Sequence, residues 1–422
     1  MTDVTRQAEN DMTEFFGALR LPASIVLGTG QRSTVGRYAA RFGNRALVCT
    51  DKRLGSDPDF AGIMASLQAA GVATAIFDAT EADLPLESIA ACVDTHRAFG
   101  ASVVIGVGGG SCMDMAKCVA LQLTHPGPLS TFYGEGKIPA PILPVIAVPT
   151  TAGTGSEVTP VAVVADSERG SKVGISSPYL IPVLAICDPE LTFSCPPALT
   201  ACSGADALTH AIEAFTARPR ALDPGLTLDN VFVGKNALSD MFALLAIRHV
   251  FESLPAAVHD GTNVHARERL MLAALAAGCA FGTAGTAAAH AIQYPVGNDT
   301  HTPHGVGVAL LLPYVMEYNR PSCVRDFAEI ARAIGLAGDD EFLSHALIDA
   351  VADLLASIGI PRTLAELGLP DDRQASVAQA SLSAARLVQN NPRTLDLAAM
   401  AAITRAAFTG DRAALAHPET VA

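Results

Sequence analysis

Four side chains form a set that could hold a divalent metal ion: Asp206 and His210, four residues apart, and two later histidines, His290 and His304. A spacing of four puts Asp206 and His210 on one face of a helix. Their surroundings, Thr200-Ala-Cys-Ser-Gly-Ala-Asp-Ala-Leu-Thr-His-Ala-Ile-Glu-Ala-Phe215, have the Ala- and Leu-rich content of a buried helix. A carboxylate and an imidazole in that setting need a partner, because burying unpaired charge is costly. A hydrogen-bonded core pair is the plainer alternative for these two residues alone. His290 ends an apolar stretch and His304 sits in Pro303-His-Gly305, so a fold that joins these segments would complete the set. One oxygen and three nitrogens suit Fe(II) or Zn(II), with positions left open for a substrate oxygen.

A second group has the features of a dinucleotide site. Gly108-Gly-Gly-Ser111 follows the apolar run Ala101-Ser-Val-Val-Ile-Gly-Val107 and opens a helix containing Asp114 and Lys117. Glycines let a backbone approach a pyrophosphate, and a helix N-terminus offers it free N–H donors. The motif is not GxGxxG, so the usual dinucleotide-binding pattern misses it. Asp51 ends the apolar run Arg45-Ala-Leu-Val-Cys-Thr-Asp51. A carboxylate there can accept hydrogen bonds from an adenosine ribose and would repel a 2′-phosphate, which favours NAD(H) over NADP(H). The alternative for Asp51 is a helix N-cap.

Four segments occur together: Gly108-Gly-Gly-Ser-Cys-Met-Asp-Met-Ala-Lys117, Pro149-Thr-Thr-Ala-Gly-Thr-Gly-Ser-Glu157, Asp206-Ala-Leu-Thr-His-Ala-Ile-Glu213, and His290 followed by His304-Gly305. In order and spacing they resemble the iron-dependent (group III) alcohol dehydrogenases, over roughly residues 20–410. The resemblance implies that Asp206, His210, His290 and His304 hold a catalytic metal acting as a Lewis acid at the substrate oxygen. It implies an NAD(H) site built from Asp51, Gly108, Gly109, Gly110, Ser111 and Asp114. Hydroxyls of Thr150, Thr151, Thr154 and Thr159 would surround the nicotinamide and pyrophosphate, and Lys172 would contact the nucleotide. The activity implied is metal-dependent interconversion of a small primary alcohol and its aldehyde by direct hydride transfer.

One position departs from the pattern. Many members of that family carry a further histidine four residues after His290, where this chain has Tyr294. A tyrosine there can donate or relay a proton, or pack as an ordinary aromatic. Tyr294 and Lys235 motivate a second reading, a hydroxyacid–oxoacid transhydrogenase or semialdehyde reductase, in which Lys235 and Arg393 bind an anionic substrate; the plainer alternative for both is a surface charge at a loop–helix junction. His301 is either a support for His304 or an exposed loop residue. A third reading is a lyase of the dehydroquinate-synthase type, but that family's dense Lys/Arg phosphate-binding set is not evident here.

The elements that must position these residues follow from periodicity. Short β-branched runs at 24–30, 45–51, 72–77, 101–107 and 144–149 alternate with helical patterns. This predicts a parallel, helix-flanked sheet with ligands beyond its carboxyl ends. Further strands are expected at 162–165 and 184–187, and residues 1–20 read as a lead-in. Past Cys195-Pro-Pro197 helical patterns take over, at 199–216, 239–251, 266–279, 327–334, 341–358 and 395–408. These patterns predict an α/β domain over 1–193 and an all-helical domain over 194–422; the resemblance implies that the first binds the dinucleotide and the second the metal and substrate, in the dehydroquinate synthase-like/iron alcohol dehydrogenase architecture.

The chain has 422 residues, half of them hydrophobic and 17% charged, as a globular protein of two domains requires. A net charge of −14 argues against nucleic acid and anionic membranes as partners. Residues 271–292 have bilayer-spanning length without a Lys, Arg, Asp or Glu, but their Ala, Gly and Thr content suits close helix packing instead. Nine scattered cysteines without a CxxC pair read as reduced thiols of a cytoplasmic protein. The N-terminus has no signal- or transit-peptide pattern. By resemblance, a homodimer or larger homo-oligomer is expected.

Overall fold

Alternate residues of each strand leave on opposite faces, and the sheet of this protein is covered on both. The computed structural model describes residues 15–169 and 171–416, so the lead-in expected over residues 1–20 falls mostly outside the described residues. Nine strands are present among them: β1 (Ser24–Leu27), β2 (Arg45–Cys49), β3 (Ala73–Phe77), β4 (Val103–Gly108), β5 (Gly134–Glu135), β6 (Val145–Pro149), β7 (Val161–Asp166), β8 (Ser171–Ser176) and β9 (Leu184–Cys187). Six of them form one sheet in the order β1-β9-β6-β4-β2-β3, and every neighbouring pair is parallel.

Four helices sandwich that sheet: α1 (Val35–Ala39), α2 (Pro58–Ala69), α3 (Leu86–His96) and α4 (Gly110–Thr124). Val48, Ile105 and Val148 pack with Val35 of α1 and Ile63 and Leu67 of α2. Leu47 and Val104 turn the other way, towards Ile89 of α3 and Met115 and Val119 of α4. Burial on both faces explains why β4 and β6 are continuous apolar runs rather than alternating ones.

From β2 the chain goes outward to β3 and then returns to lay β4 on the opposite side of β2. Strand order reverses at that point, and a crevice opens beyond the strand ends. Cys49 is paired with Gly106 across it, so Asp51 and the glycine loop emerge as neighbours.

A second sheet, β5-β8-β7, is a finding beyond the periodicity reading, which placed one strand at 162–165 in this region. β7 and β8 pair antiparallel, with Ala165 opposite Lys172. Ser171-Lys-Val-Gly-Ile-Ser176 has too few apolar residues to stand out as a strand.

After Cys187 no further strand is formed among the described residues, and from Pro197 onward every regular element is helical. The main ones are α5 (Pro197–Phe215), α6 (Ala237–His259), α7 (Val264–Ala284), α8 (Ala288–Thr300), α9 (His304–Ala333), α10 (Asp340–Ser357), α11 (Gln374–Ser381), α12 (Ala385–Asn390) and α13 (Leu397–Thr409). Residues 271–292 are not one span but the end of α7 and the start of α8, with a 103° bend between the two helices. Ala273 to Ala280 are buried on all sides, as in a core helix. α6 is also long and apolar enough to cross a membrane, and half of its most apolar stretch is buried in the fold.

α9 corrects the expectation of a helix confined to 327–334. It carries Pro313 and Pro321, which interrupt the helical pattern; two helices join at a kink at Cys323 (φ −129°, ψ 17°), just past Pro321, and the expected 327–334 segment lies in the second of them.

Candidate metal and dinucleotide site

Asp206 and His210 project from one face of α5, which is buried continuously from Ser203 to Phe215. His290 lies in the first turn of α8, and His304 is the first residue of α9. The close approach of α9 to α5 depends on Gly305, where a Cβ would run into the Cys202 carbonyl.

Three imidazole nitrogens surround one oxygen. Nε2 of His210, His290 and His304 lie 3.6, 3.8 and 3.9 Å from Asp206 Oδ1. These distances are too long for hydrogen bonds. Ligand atoms held at about 2.1 Å around a tetrahedral ion lie about 3.4 Å apart, so the spacing fits a shared ion. Asp206 Oδ1 and His290 Nε2 are buried without a hydrogen-bond partner, and a shared ion would satisfy both. Asp206, His290 and His304 offer ligand atoms all within 4.8 Å of one another. His210 stands outside that group of three, but its Nε2 reaches the shared oxygen, the ring being stacked between Phe281, at 4.0 Å, and His290, at 4.8 Å.

The electrostatics suit a cation. Burial pushes Asp206 up to about 7, partly offset by the neighbouring His290 and reinforced by Glu213. Burial and the nearby His290 hold His210 and His304 well below the ordinary histidine value. Both rings are therefore neutral near pH 7, with a lone pair available.

Glu213 is the residue that sequence reasoning missed. Its Oε2 accepts from His290 Nδ1 at 2.7 Å and from Ala287 N at 2.8 Å, and its Oε1 accepts from Ala289 N at 2.7 Å. It thus fixes the proton on Nδ1, turns Nε2 towards Asp206, and satisfies free N–H groups at the start of α8. The available signal was its position two turns beyond Asp206 on the same helix face.

A cavity of about 240 Å³ opens over the cluster. Gly110, Ser111, Asp114, Thr154, Thr159 and Lys172 line its sheet side; Phe232, Phe281, Tyr294 and Arg386 line its helical side. Asp51, Gly108, Gly109, Thr150 and Thr151 stand outside that wall. Gly108 has φ +151°, and a Cβ on Gly110 would lie 2.9 Å from Thr154 Cγ2. The glycine and threonine loops are thus in contact, and Thr151 packs on Gly109.

The chain matches the description "Iron-containing alcohol dehydrogenase" over residues 22–189 and "Fe-containing alcohol dehydrogenase family, C-terminal" over residues 200–408. It belongs to the iron-containing alcohol dehydrogenase family. Long-chain-alcohol dehydrogenase 1 of Geobacillus thermodenitrificans (strain NG80-2) is 36% identical over 372 residues, covering 86% of this chain and 89% of that protein. The crystal structure of a 1,3-propanediol oxidoreductase superposes with a TM-score of 0.87 at 33% identity, covering 93% of this chain and 100% of the other. That of sulfoacetaldehyde reductase from Bifidobacterium kashiwanohense in complex with NAD+ gives 0.80 at 30% identity, covering 94% and 99%. The chain is accordingly an oxidoreductase of the alcohol dehydrogenase type.

Several expected side chains in this iron-containing alcohol dehydrogenase have local partners. Asp51 caps the turn Lys52–Gly55 through Oδ1, which accepts from Leu54 N at 2.9 Å. Asp114 accepts from Ser156 Oγ at 2.5 Å and Val163 N at 2.9 Å. The buried Lys117 donates to Ser156 Oγ, Thr159 O and Val161 O at 2.9, 3.1 and 2.6 Å. Asp114 and Lys117 therefore tie α4 to the threonine loop and β7. Lys172 donates to Asp83 Oδ1 at 2.6 Å. Thr154 Oγ1 accepts from Ser156 N at 3.3 Å, and Thr150 Oγ1 is buried without a partner.

The anion-binding reading fails for two residues. Lys235 does not reach the cavity: it donates to Phe215 O at 2.5 Å, sits 3.7 Å from the Phe215 ring centroid, and pairs with Asp240 at 2.8 Å. Arg393 lies over the Tyr318 ring at 4.3 Å and donates to Tyr318 O at 2.8 Å. Packing, not substrate, occupies both. His301 is an exposed residue in left-handed geometry (φ 54°) at the end of α8. Tyr294 does line the cavity, its ring 6.4 Å from that of His304, and burial pushes its hydroxyl up from the ordinary value.

Proposed function

We propose that this chain interconverts a small primary alcohol and its aldehyde, using NAD(H) and an Fe(II) ion held by Asp206, His210, His290 and His304. The observation that carries this reading is the convergence of three Nε2 atoms on Asp206 Oδ1, on the wall of a cavity that also reaches the glycine loop. When bound, the ion supplies Lewis-acid polarisation of the substrate oxygen and NAD(H) supplies or accepts the hydride. Zn(II) suits the same donor set.

The chain's own residues do the rest. Gly110 and Ser111 present backbone N–H groups at the start of α4 to the pyrophosphate. Asp51 Oδ1 is engaged as a cap; Oδ2, which also accepts from Cys112 Sγ at 3.9 Å, retains acceptor capacity for the ribose and favours NAD(H) over NADP(H). Thr154, Thr159 and Lys172 line the path from that phosphate site to the cluster. Tyr294, kept protonated by burial, presents a donor beside His304. The apolar rings of Phe232 and Phe281 exclude water from the reacting centre. Nine cysteines, none of them paired, support a reducing, cytoplasmic setting.

The test is NADH oxidation by metal-stripped protein reloaded with Fe(II) or Zn(II), over a panel of short aldehydes, with His290→Ala as control. Metal-dependent turnover that disappears in H290A is expected. Turnover indifferent to metal and to H290A would overturn the reading.

A further inference from the structure

Arg386 carries a charge that alcohol–aldehyde interconversion leaves unused. It lies in the first turn of α12, lines the cavity over the cluster and also borders the adjoining cavity beside Tyr294. Its guanidinium is stacked 4.1 Å from the Phe232 ring centroid. Nη1 is buried without a hydrogen-bond partner. The groups that act on its charge, Tyr294, Glu135, Arg220 and Glu213, do so at a distance rather than through hydrogen bonds.

The other cations near the cavity are engaged. Lys172 is paired with Asp83 and Lys117 is saturated by Ser156 and two carbonyls. The backbone leaves room for Arg386: at Gly285 (φ +85°) a Cβ would lie 3.2 Å from Nη1. A stacked guanidinium with idle donors is preorganised for bidentate contact with an oxyanion. Leaving it buried and unpaired would be costly.

We propose that Arg386 binds the carboxylate or sulfonate end of a short aldehyde or alcohol whose oxygen lies at the Asp206 cluster. This rests on the alcohol–aldehyde reading above and narrows it to substrates with an anionic tail. The cavity of about 240 Å³ limits the chain between the two ends to a few carbons. The cofactor pyrophosphate offers the same oxyanion chemistry, but its donors, Gly110 and Ser111, are on the sheet side, whereas Arg386 belongs to the helical side.

The experiment compares 4-oxobutanoate with pentanal, a neutral aldehyde of similar length, in the metal-loaded wild type, Arg386→Met and Arg386→Lys. Binding of ethanesulfonate to the NADH-bound protein is followed calorimetrically in each. The expected result is a wild-type preference for 4-oxobutanoate that R386M lowers by about 100-fold in kcat/KM. The pentanal value and the KM for NADH stay within about threefold, R386K recovers part of the loss, and ethanesulfonate binding disappears in R386M. Equal loss on both aldehydes, or no wild-type preference for the anion, overturns the proposal. A raised KM for NADH with either aldehyde also overturns it, by assigning Arg386 to the cofactor phosphate. Should R386M not fold, R386K and ethanesulfonate competition in the wild type decide the matter by the same criteria. Absence of turnover on every aldehyde while ethanesulfonate binds through Arg386 would overturn the alcohol–aldehyde reading and leave the anion site standing.

Discussion

Glu213 Oε2 lies 2.7 Å from Nδ1 of His290, so the orientation of one candidate ligand is set from the helix that carries two others. Glu213→Gln removes the charge that fixes the Nδ1 proton. Metal affinity is expected to fall by about 10- to 100-fold. Chelator competition with metal analysis measures it, and an unchanged dissociation constant would contradict the positioning role.

Metal loading should depend on pH in one direction. In the metal-free protein Asp206 titrates at about 7, while His210 and His304 are already neutral there. Below that value an incoming cation must displace a proton from Asp206. Affinity for Fe(II) or Zn(II) is therefore expected to drop by about tenfold for each pH unit below 7, and to level off above it. Titrations across that range give the slope; a flat profile would rule out proton competition at Asp206.

Glu157 gives a separate pH effect on stability. Burial pushes its carboxyl from 4.5 up to about 7, with Lys117 partly opposing the shift. Between those values the unfolded chain has released the proton and the folded chain still holds it, so stability falls as pH rises through the interval. Glu157→Gln should match the wild type below pH 4.5 and exceed it above 7. Urea denaturation at the two extremes is the measurement, and a constant difference between the proteins would count against the assignment.

Close packing of the threonine loop on α7 sets a steric prediction. A Cβ at Gly278 would lie 2.7 Å from Val158 Cγ2 and 2.8 Å from the Gly155 Cα. Gly278→Ala is expected to destabilise the fold by about 1–3 kcal/mol, as overpacking does. Chemical denaturation at fixed metal content tests this; a stability equal to the wild type would show that the loop can yield.

Much of the site was legible because it obeys local rules. The four-residue step from Asp206 to His210, the glycine run after an apolar strand and the strand–helix alternation are all short-range signals. The parts that escaped depend on long-range packing. Glu213 meets a partner 77 residues away and reads on its own as an ordinary helical glutamate. Lys235 and Arg393 were reasonable anion binders by charge type, yet the Phe215 and Tyr318 rings claim them. Arg386 carries no local signal in the sequence, because its stacking on Phe232 joins positions distant in the chain. β8 and α9 were obscured for local reasons: sparse apolar residues in one, prolines in the other.

The cavity is walled by segments that are independent in the chain. Asp206, His210, Glu213, His290 and His304 come from α5, α8 and the start of α9, whereas Arg386 arrives on the six-residue α12. Reactivity and selectivity therefore have separate addresses. A library confined to α12 can retune which molecules are accepted while the redox machinery is inherited intact, making that short helix the natural cassette for redesign.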